Sequence, residues 1–560
     1  MSKKVLSITL AFVVALGLFC LPVLAIEAVP TPSAVLVNGE NVSFDAYNIN
    51  GSNYFKLRDI AYALNGTEKQ FEVGYDAAAN AIILTSGKPY TAVGGEMAGK
   101  GTGANAPEPS NAKILLDGEE IRVNAYLIDG NNYFKLRDVG KAVGFCVEWD
   151  SARDAVIVDT SRGYVFTLGY ESRDSQPKTV DEFIPLFAGQ YKRYNEAAFE
   201  IWPGNAIANV PFVLDDVGAD RMWLVAPDGT VSPLSEDEAK SMGLDRRREE
   251  AFAVAPLGDF YKYDANGNIV SQSFKVENFK GIYFTVNDEK VNEIGRWGRW
   301  LHVSTFDVLR FGVHESFHTF EQQKWQEQPI AERANYETKD QFFEVTDARV
   351  KRGLLLNQIM AAVSKMGDKK PVLDALATFA DYKKQFPDDY ANALYWDRIE
   401  GTANYIEYLT SIYSYFPDQI NGKKDALRAL AQLGTVESYR LRPCGVIDEA
   451  YELGAFTGIL LDMLGIDWKT QLMNDPVLTP MEILYRNFKN ETLPEPKQPT
   501  QTEIDEVYAK LRVRKDGIIA TLEASISRYE TRLETASEQE KARLTDLIES
   551  IKQRIEELRQ

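Results

Sequence analysis

Histidine is the scarcest chemically versatile residue in this 560-residue chain, with three copies, His302, His314 and His318. None follows His318, so any site that needs a histidine farther along is excluded. Cysteine is equally rare, at Cys20, Cys146 and Cys444. Cys20 falls in an N-terminal leader and the other two in segments assigned to different domains. A disulfide-stapled fold is excluded, and stability must come from packed cores aided by bound metal. Positive charge is also short: 62 Lys and Arg against 82 Asp and Glu leave a net charge of −20. Nothing basic is concentrated enough to neutralise phosphates, so nucleic acid is excluded as a partner. The acidity itself signals solubility rather than a particular ligand. Long apolar runs are absent beyond the first residues. Residues 1–25 read as a secretory signal, with Lys3 and Lys4 as the charged start, an apolar stretch at 5–19, and Val23-Leu24-Ala25 before cleavage. Pro22 interrupts that run, which is short for a bilayer span, and bulky Phe19 precedes Cys20 where lipidation needs a small residue. The expectation is an exported protein, secreted or cell-envelope associated, with no membrane span after signal removal.

The length is too great for one core and predicts three or four domains, and the apolar and charged fractions, 45% and 26%, are globular values. An internal repeat fills residues 33–160. Tyr54-Phe55-Lys56-Leu57-Arg58-Asp59 returns as Tyr133-Phe134-Lys135-Leu136-Arg137-Asp138. Each copy has a hairpin turn of the positive-φ kind, Asn50-Gly51 or Asp129-Gly130, a short helix from Leu57 or Leu136, and a closing strand at 81–84 or 155–158. A Gly-rich stretch, 94–106, joins the copies. The region resembles the small α+β module named after the N-terminal domain of bacterial copper amine oxidase, a stalk of exported Gram-positive proteins. The resemblance implies a spacer or wall-associated module rather than a reaction, with two copies that bury their own strands and repeated aromatics in the core.

Residues 163–310 mix types. Helical spacing runs from Val180 to Ile201, and strands are expected at 210–214, 222–225 and 281–286. Residues 311–490 read as mainly helical. Pro494, Pro496 and Pro499 mark a linker at 491–503. In 504–560, Leu522, Ile526, Tyr529 and Leu533, then Leu544, Ile548, Ile551, Ile555 and Leu558, recur at alternating intervals of four and three. Ser537 and Glu540 suit the start of a new helix. The reading is an antiparallel helical hairpin for docking or self-association, because its polar face carries both signs of charge and so does not suit a membrane surface.

The chemistry concentrates in His314-Glu315-Ser316-Phe317-His318, an H-E-x-x-H sequence. On a helix, positions four apart share a face, so both imidazoles can reach one metal ion while Glu315 lies beside the metal's water. Zinc suits this arrangement because it lowers the pKa of bound water and keeps one coordination position open. Two histidines leave a third ligand to be found, and it must be a carboxylate or His302. His302 lies twelve residues before His314 and cannot share its helix face. The best carboxylates are Glu400 and Glu407, seven apart on one helix face, with Gly401 and Ala403 small enough for the H-E-x-x-H helix to approach. A further segment, 447–462, mixes acids into an apolar run, and those acids are expected to find partners at the metal site. Tyr439 and Tyr451 are candidate donors to an oxyanion, and Arg440 and Arg442 candidate binders of a substrate carboxylate.

Glu400-Gly401-Thr402-Ala403-Asn404-Tyr405-Ile406-Glu407 downstream of H-E-x-x-H resembles the gluzincin-type zinc metallopeptidases. That resemblance implies one Zn²⁺ per chain held by His314, His318 and Glu400. Glu315 would be general base and then proton donor to the leaving amine. Read from the residues themselves, Tyr451 is a candidate oxyanion donor, and Glu407 is the reserve ligand, better suited to orient a ligand histidine. The 82 residues from His318 to Glu400 imply a helical insertion. The expected fold class is α+β multidomain: stalk repeats, a zincin-like sheet with a helical lobe, and the C-terminal hairpin. The expected partner is a protein or peptide substrate, with stalk or hairpin contacting the cell wall or another envelope protein. The alternative is a non-catalytic envelope protein whose metal site is structural or vestigial. Asn335-Tyr336-Glu337 matches the short context in which copper amine oxidases make a quinone from Tyr, but those enzymes need an H-x-H pair after it. That activity is excluded by the missing histidines.

Overall fold

The computed structural model describes residues 27–31, 34–98, 106–121, 123–150, 152–166, 177–205, 207–244, 252–255, 259–263, 269–273, 279–289, 291, 308–325, 346–433, 446–534 and 537–559. The chain is an α+β multidomain protein in which β-sheets come first and a largely helical region follows. Two compact units, Met1–Phe166 and Thr167–Gln560, divide it.

In the first unit the elements run β1 (Val29–Pro30), β2 (Ala34–Val37), β3 (Glu40–Val42), β4 (Ala46–Ile49), β5 (Ser52–Lys56), α1 (Leu57–Ala63), β6 (Phe71–Asp76) and β7 (Ala81–Ser86). The second copy repeats them as β8 (Glu108–Pro109), β9 (Lys113–Leu116), β10 (Glu119–Glu120), β11 (Ala125–Ile128), β12 (Asn131–Lys135), α2 (Leu136–Val143), β13 (Cys146–Asp150) and β14 (Ala155–Asp159). The hairpin turns follow from sequence: Asn50 and Gly51, and Asp129 and Gly130, all have positive φ, as a two-residue turn matched to strand twist requires. Tyr54, Phe55, Tyr133 and Phe134 are buried.

The copies do not bury their own strands. The second strand of each copy pairs with the last strand of the other: β2 runs parallel to β14, and β9 parallel to β7. The central hairpins join as β5 against β12, with Phe55 opposite Phe134. One core draws on both copies, including Phe55, Ile60, Phe71, Ile82, Ile114, Phe134, Phe145 and Val158. A single copy is too small to bury much apolar surface, and exchanging strands merges two small cores into one. A fragment of residues 27–98 therefore keeps β3 beside β2 and β6 beside β7 but loses the cross-copy partner of each, and it is expected to give a collapsed amide spectrum where residues 27–166 give a dispersed one. A folded short fragment would contradict the exchange. Cys146 is buried and burial pushes its thiol up to about 11, so it is unreactive; Cys444 lies outside the described residues.

The second unit opens with α3 (Val180–Ile201), β15 (Phe212–Asp216), β16 (Arg221–Val225), β17 (Val231–Pro233), α4 (Glu236–Ser241), β18 (Phe252–Ala255), β19 (Asp259–Tyr263), β20 (Ile269–Ser273) and β21 (Gly281–Val286). Five of these strands form a sheet in the order β17-β16-β15-β21-β18, parallel only between β15 and β21. Helices follow: α5 (Val308–Ser316), α6 (Thr346–Ser364), α7 (Lys369–Gln385), α8 (Pro387–Tyr415), α9 (Lys423–Leu433), α10 (Val446–Met463), α11 (Trp468–Asn474), α12 (Pro480–Asn487), α13 (Gln501–Leu533) and α14 (Glu538–Arg559). Bonds from Arg532 to Glu540 and from Arg559 to Glu523 show α13 and α14 antiparallel. No helix among the described residues is long and apolar enough to cross a membrane.

Glu449, Glu452 and Asp462 of α10 do not look to the metal site. Glu449 is bonded by Arg349 and Arg352 of α6, which also bind Asp389 and Asp397 of α8. Glu452 accepts from Tyr408, and Asp462 from Tyr405, Trp468 and Lys469. Two guanidiniums thus face three buried carboxylates. Burial pushes Glu449 up to about 7, although Arg349 and Arg352 pull it down. A carboxyl raised above its unfolded value contributes stability in its protonated form. That contribution is present in acid and lost as pH rises through about 7. In excess chelator, Glu449→Gln should gain thermal stability relative to the parent over that interval. A difference that does not change with pH would show Glu449 ionised throughout.

Candidate metal centre

α5 lies against the sheet because Gly312 leaves room for it: a Cβ there would meet the Phe212 ring at 2.7 Å. Val308, Leu309 and Val313 of this helix are buried, and Phe317 just beyond it packs on Trp202 and Trp325. The helix does not continue evenly. After Ser316 it widens into a π-turn over Phe317–Glu321, and the Gln322 N–H donates to the carbonyl of Phe317. Such an insertion re-aims side chains and recurs at functional sites.

His314 on α5 and His318 on the π-turn bring their Nε2 atoms to 3.0 Å. Glu400 of α8 places Oε2 3.3 Å from the first and 3.5 Å from the second. His314 is buried, and the other two are half-buried. Among the described residues these three form a group that could hold a metal ion. The third ligand atom in the group is therefore a carboxylate oxygen of Glu400.

The surroundings fit a cation. Glu407 Oε1 lies 2.7 Å from Nδ1 of His314, a short contact bent away from the N–H axis. A carboxylate can only accept, so Nδ1 carries the proton and Nε2 is left to the cluster. Arg310, one turn before His314, donates to Glu407 Oε2 at 2.7 Å. Glu400 Oε2 is buried without a hydrogen-bond donor. Ligands about 2.0–2.1 Å from a tetrahedral zinc stand about 3.3 Å apart, which is the spacing of this triangle.

The electrostatics agree. Burial raises the Glu400 pKa, but the two imidazoles hold it well below the usual carboxylate range. Burial lowers His314, yet Glu400 and Glu407 together raise it to about 10. The two carboxylates thus favour positive charge on His314, at the centre of the cluster. Burial also raises Glu407, and Arg310 pulls it below its ordinary value, so the carboxylate stays ionised.

Glu315 is half-buried, and its charge acts on both His314 and Tyr451. Tyr451 stacks its ring on His314 at 5.8 Å, and after burial the nearby Glu400 charge raises the pKa of its hydroxyl. His302, Tyr439, Arg440 and Arg442 lie outside the described residues. Gly401 does not receive α5; it faces Gly454 of α10. Sequence reasoning missed Arg310 and Gln322. Arg310 precedes His314 by four residues, a helical interval that could have revealed it. Comparison of the chain with family models, with curated proteins and with solved structures found no match to any of them.

Proposed function

We propose that this chain is an exported zinc-dependent peptidase of gluzincin type, with one zinc ion held by His314, His318 and Glu400. The observation that supports it most is the triangle of ligand atoms at 3.0, 3.3 and 3.5 Å, with the Glu of H-E-x-x-H beside it. A purely structural site has no use for that base. Zinc held there supplies Lewis acidity, which brings the pKa of a water toward neutrality. The chain's own residues supply the rest. Glu315 takes the water's proton and delivers it to the leaving amine. Glu407, kept ionised by Arg310, holds His314 with its proton on Nδ1. The Tyr451 hydroxyl is the nearest candidate to turn toward an oxyanion.

On the same reading the substrate is a protein or peptide, residues 1–25 direct export, and the strand-exchanged unit is a stalk. The stalk or the α13–α14 hairpin would contact the wall or another envelope protein. Metal analysis tests the centre. The purified protein should carry about one zinc per chain, and His314→Ala and Glu400→Ala should each lower occupancy. Full retention in Glu400→Ala would remove it as a ligand and point to Glu407 or His302.

A further inference from the structure

Gln322 is 8% exposed and belongs to none of the roles above. The π-turn brings it back toward the cluster. Its Oε1 lies 2.6 Å from Nδ1 of His318. Its Nε2 donates to the Ile399 carbonyl at 2.8 Å and to Thr402 Oγ1 at 2.9 Å, both on α8. These partners force a single arrangement of protons. A backbone carbonyl only accepts, and the Thr402 hydroxyl spends its proton on the Arg398 carbonyl at 2.7 Å. Both therefore need the amide's NH₂ side. The amide oxygen must then face His318, and it too can only accept, so Nδ1 carries the proton and Nε2 carries a lone pair.

We propose that Gln322 is a positioning residue that fixes His318 as an Nε2 ligand and locks it to the helix that carries Glu400. The two histidines are then held by different chemistry on one helix. His314 leans on an ionised carboxylate, Glu407, and His318 on a neutral amide. α8 thus supplies one ligand and, directly or through Gln322, the acceptors that set the protonation of both others. A half-turn rotation of His318 would lose the hydrogen bond to Gln322 and turn Cε1–H, which cannot bind a metal, into the metal position. The tautomer part stands on the hydrogen bonds alone; the ligand part rests on the zinc reading above.

With three histidines in the chain, long-range ¹H–¹⁵N spectra of labelled imidazoles are simple enough to assign. In the unmodified, metal-free protein, neutral His318 should be the Nδ1–H tautomer. Finding it as Nε2–H overturns the proposal without any variant. Gln322→Met keeps the volume and removes the acceptor. It should mix the tautomers and weaken zinc binding by about 10–100-fold in chelator competition, as lost partners of metal-bound histidines do. Gln322→Glu restores an acceptor and should recover most of that loss. Should Gln322→Met fail to fold, Thr402→Val removes one anchor of the amide without touching His318, and should weaken zinc binding by a smaller factor. Unchanged tautomer and zinc affinity in Gln322→Met, or in Thr402→Val where that variant is used, overturn the proposal. If the parent shows the expected tautomer but binds no zinc, the metal reading fails and the hydrogen-bond assignment stands.

Discussion

Glu315→Gln should leave zinc bound and lower peptide hydrolysis by at least about 10²-fold, the usual size of a lost general base. The substitution keeps the shape of the side chain and much of its hydrogen bonding but cannot accept the proton of water. Glu315 follows His314 directly on α5, so it stands beside the ligand triangle without contributing to it. Its charge nonetheless reaches His314 and Tyr451. Metal content and hydrolysis of a broad peptide library, measured on the same preparations, separate the two readings. A zinc-loaded variant cleaving near the parent rate would show that another site runs the hydrolysis. A zinc-loaded parent with no activity would favour an envelope protein with a structural metal.

Gly401→Ala should destabilise the protein by about 3 kcal/mol, at the upper end for overpacking a core, and weaken zinc binding together with it. α8 and α10 cross with their backbones in contact. A Cβ on Gly401 would meet the Gly454 Cα at 2.6 Å and the Ala450 carbonyl oxygen at 2.8 Å. Neither obstacle is a side chain that could swing aside, so the helices must separate. One carries Glu400 and Glu407, the other Tyr451, and their separation spreads the ligand triangle. Gly454→Ala meets the same wall from the other side, with the Gly401 Cα at 2.5 Å. Gly517 in α13 is the control, since a Cβ there meets nothing within 4 Å. Gly517→Ala should be neutral or stabilising by up to about 1 kcal/mol, as in an ordinary helix interior. Chemical denaturation of the three variants decides the matter. A Gly401→Ala protein as stable as the parent would mean that the crossing is looser than its geometry implies.

Where the physics is local, the sequence was legible. The turns at Asn50-Gly51 and Asp129-Gly130 need positive φ, and that requirement is written in the residue types. α3 spans Val180–Ile201, the bounds its periodicity suggested. The strands β18, β19 and β20 were not read, being short and exposed to no clear alternation at the level of pattern. The pairing partners of β2 and β9 were hidden for a stronger reason. Two near-identical repeats present the same strand faces, so a strand can satisfy its apolar side and its ladder against either copy, and no local signal distinguishes them.

By itself, the sequence determined which side chains could bind a metal. Three histidines, two of them four apart around Glu315, leave few ways to build such a site, and the missing histidines after His318 require an oxygen ligand unless His302 serves. Only the tertiary structure decided that Glu400 closes the triangle and that Glu407 and Gln322 set the protonation of the two imidazoles. It also decided that Gly401 serves the contact with α10 rather than the approach of α5. Helical spacing states which residues share a face, but not which neighbour that face meets. That choice belongs to long-range packing, where backbone contact at one crossing and a π-turn in another helix position groups far apart in the chain.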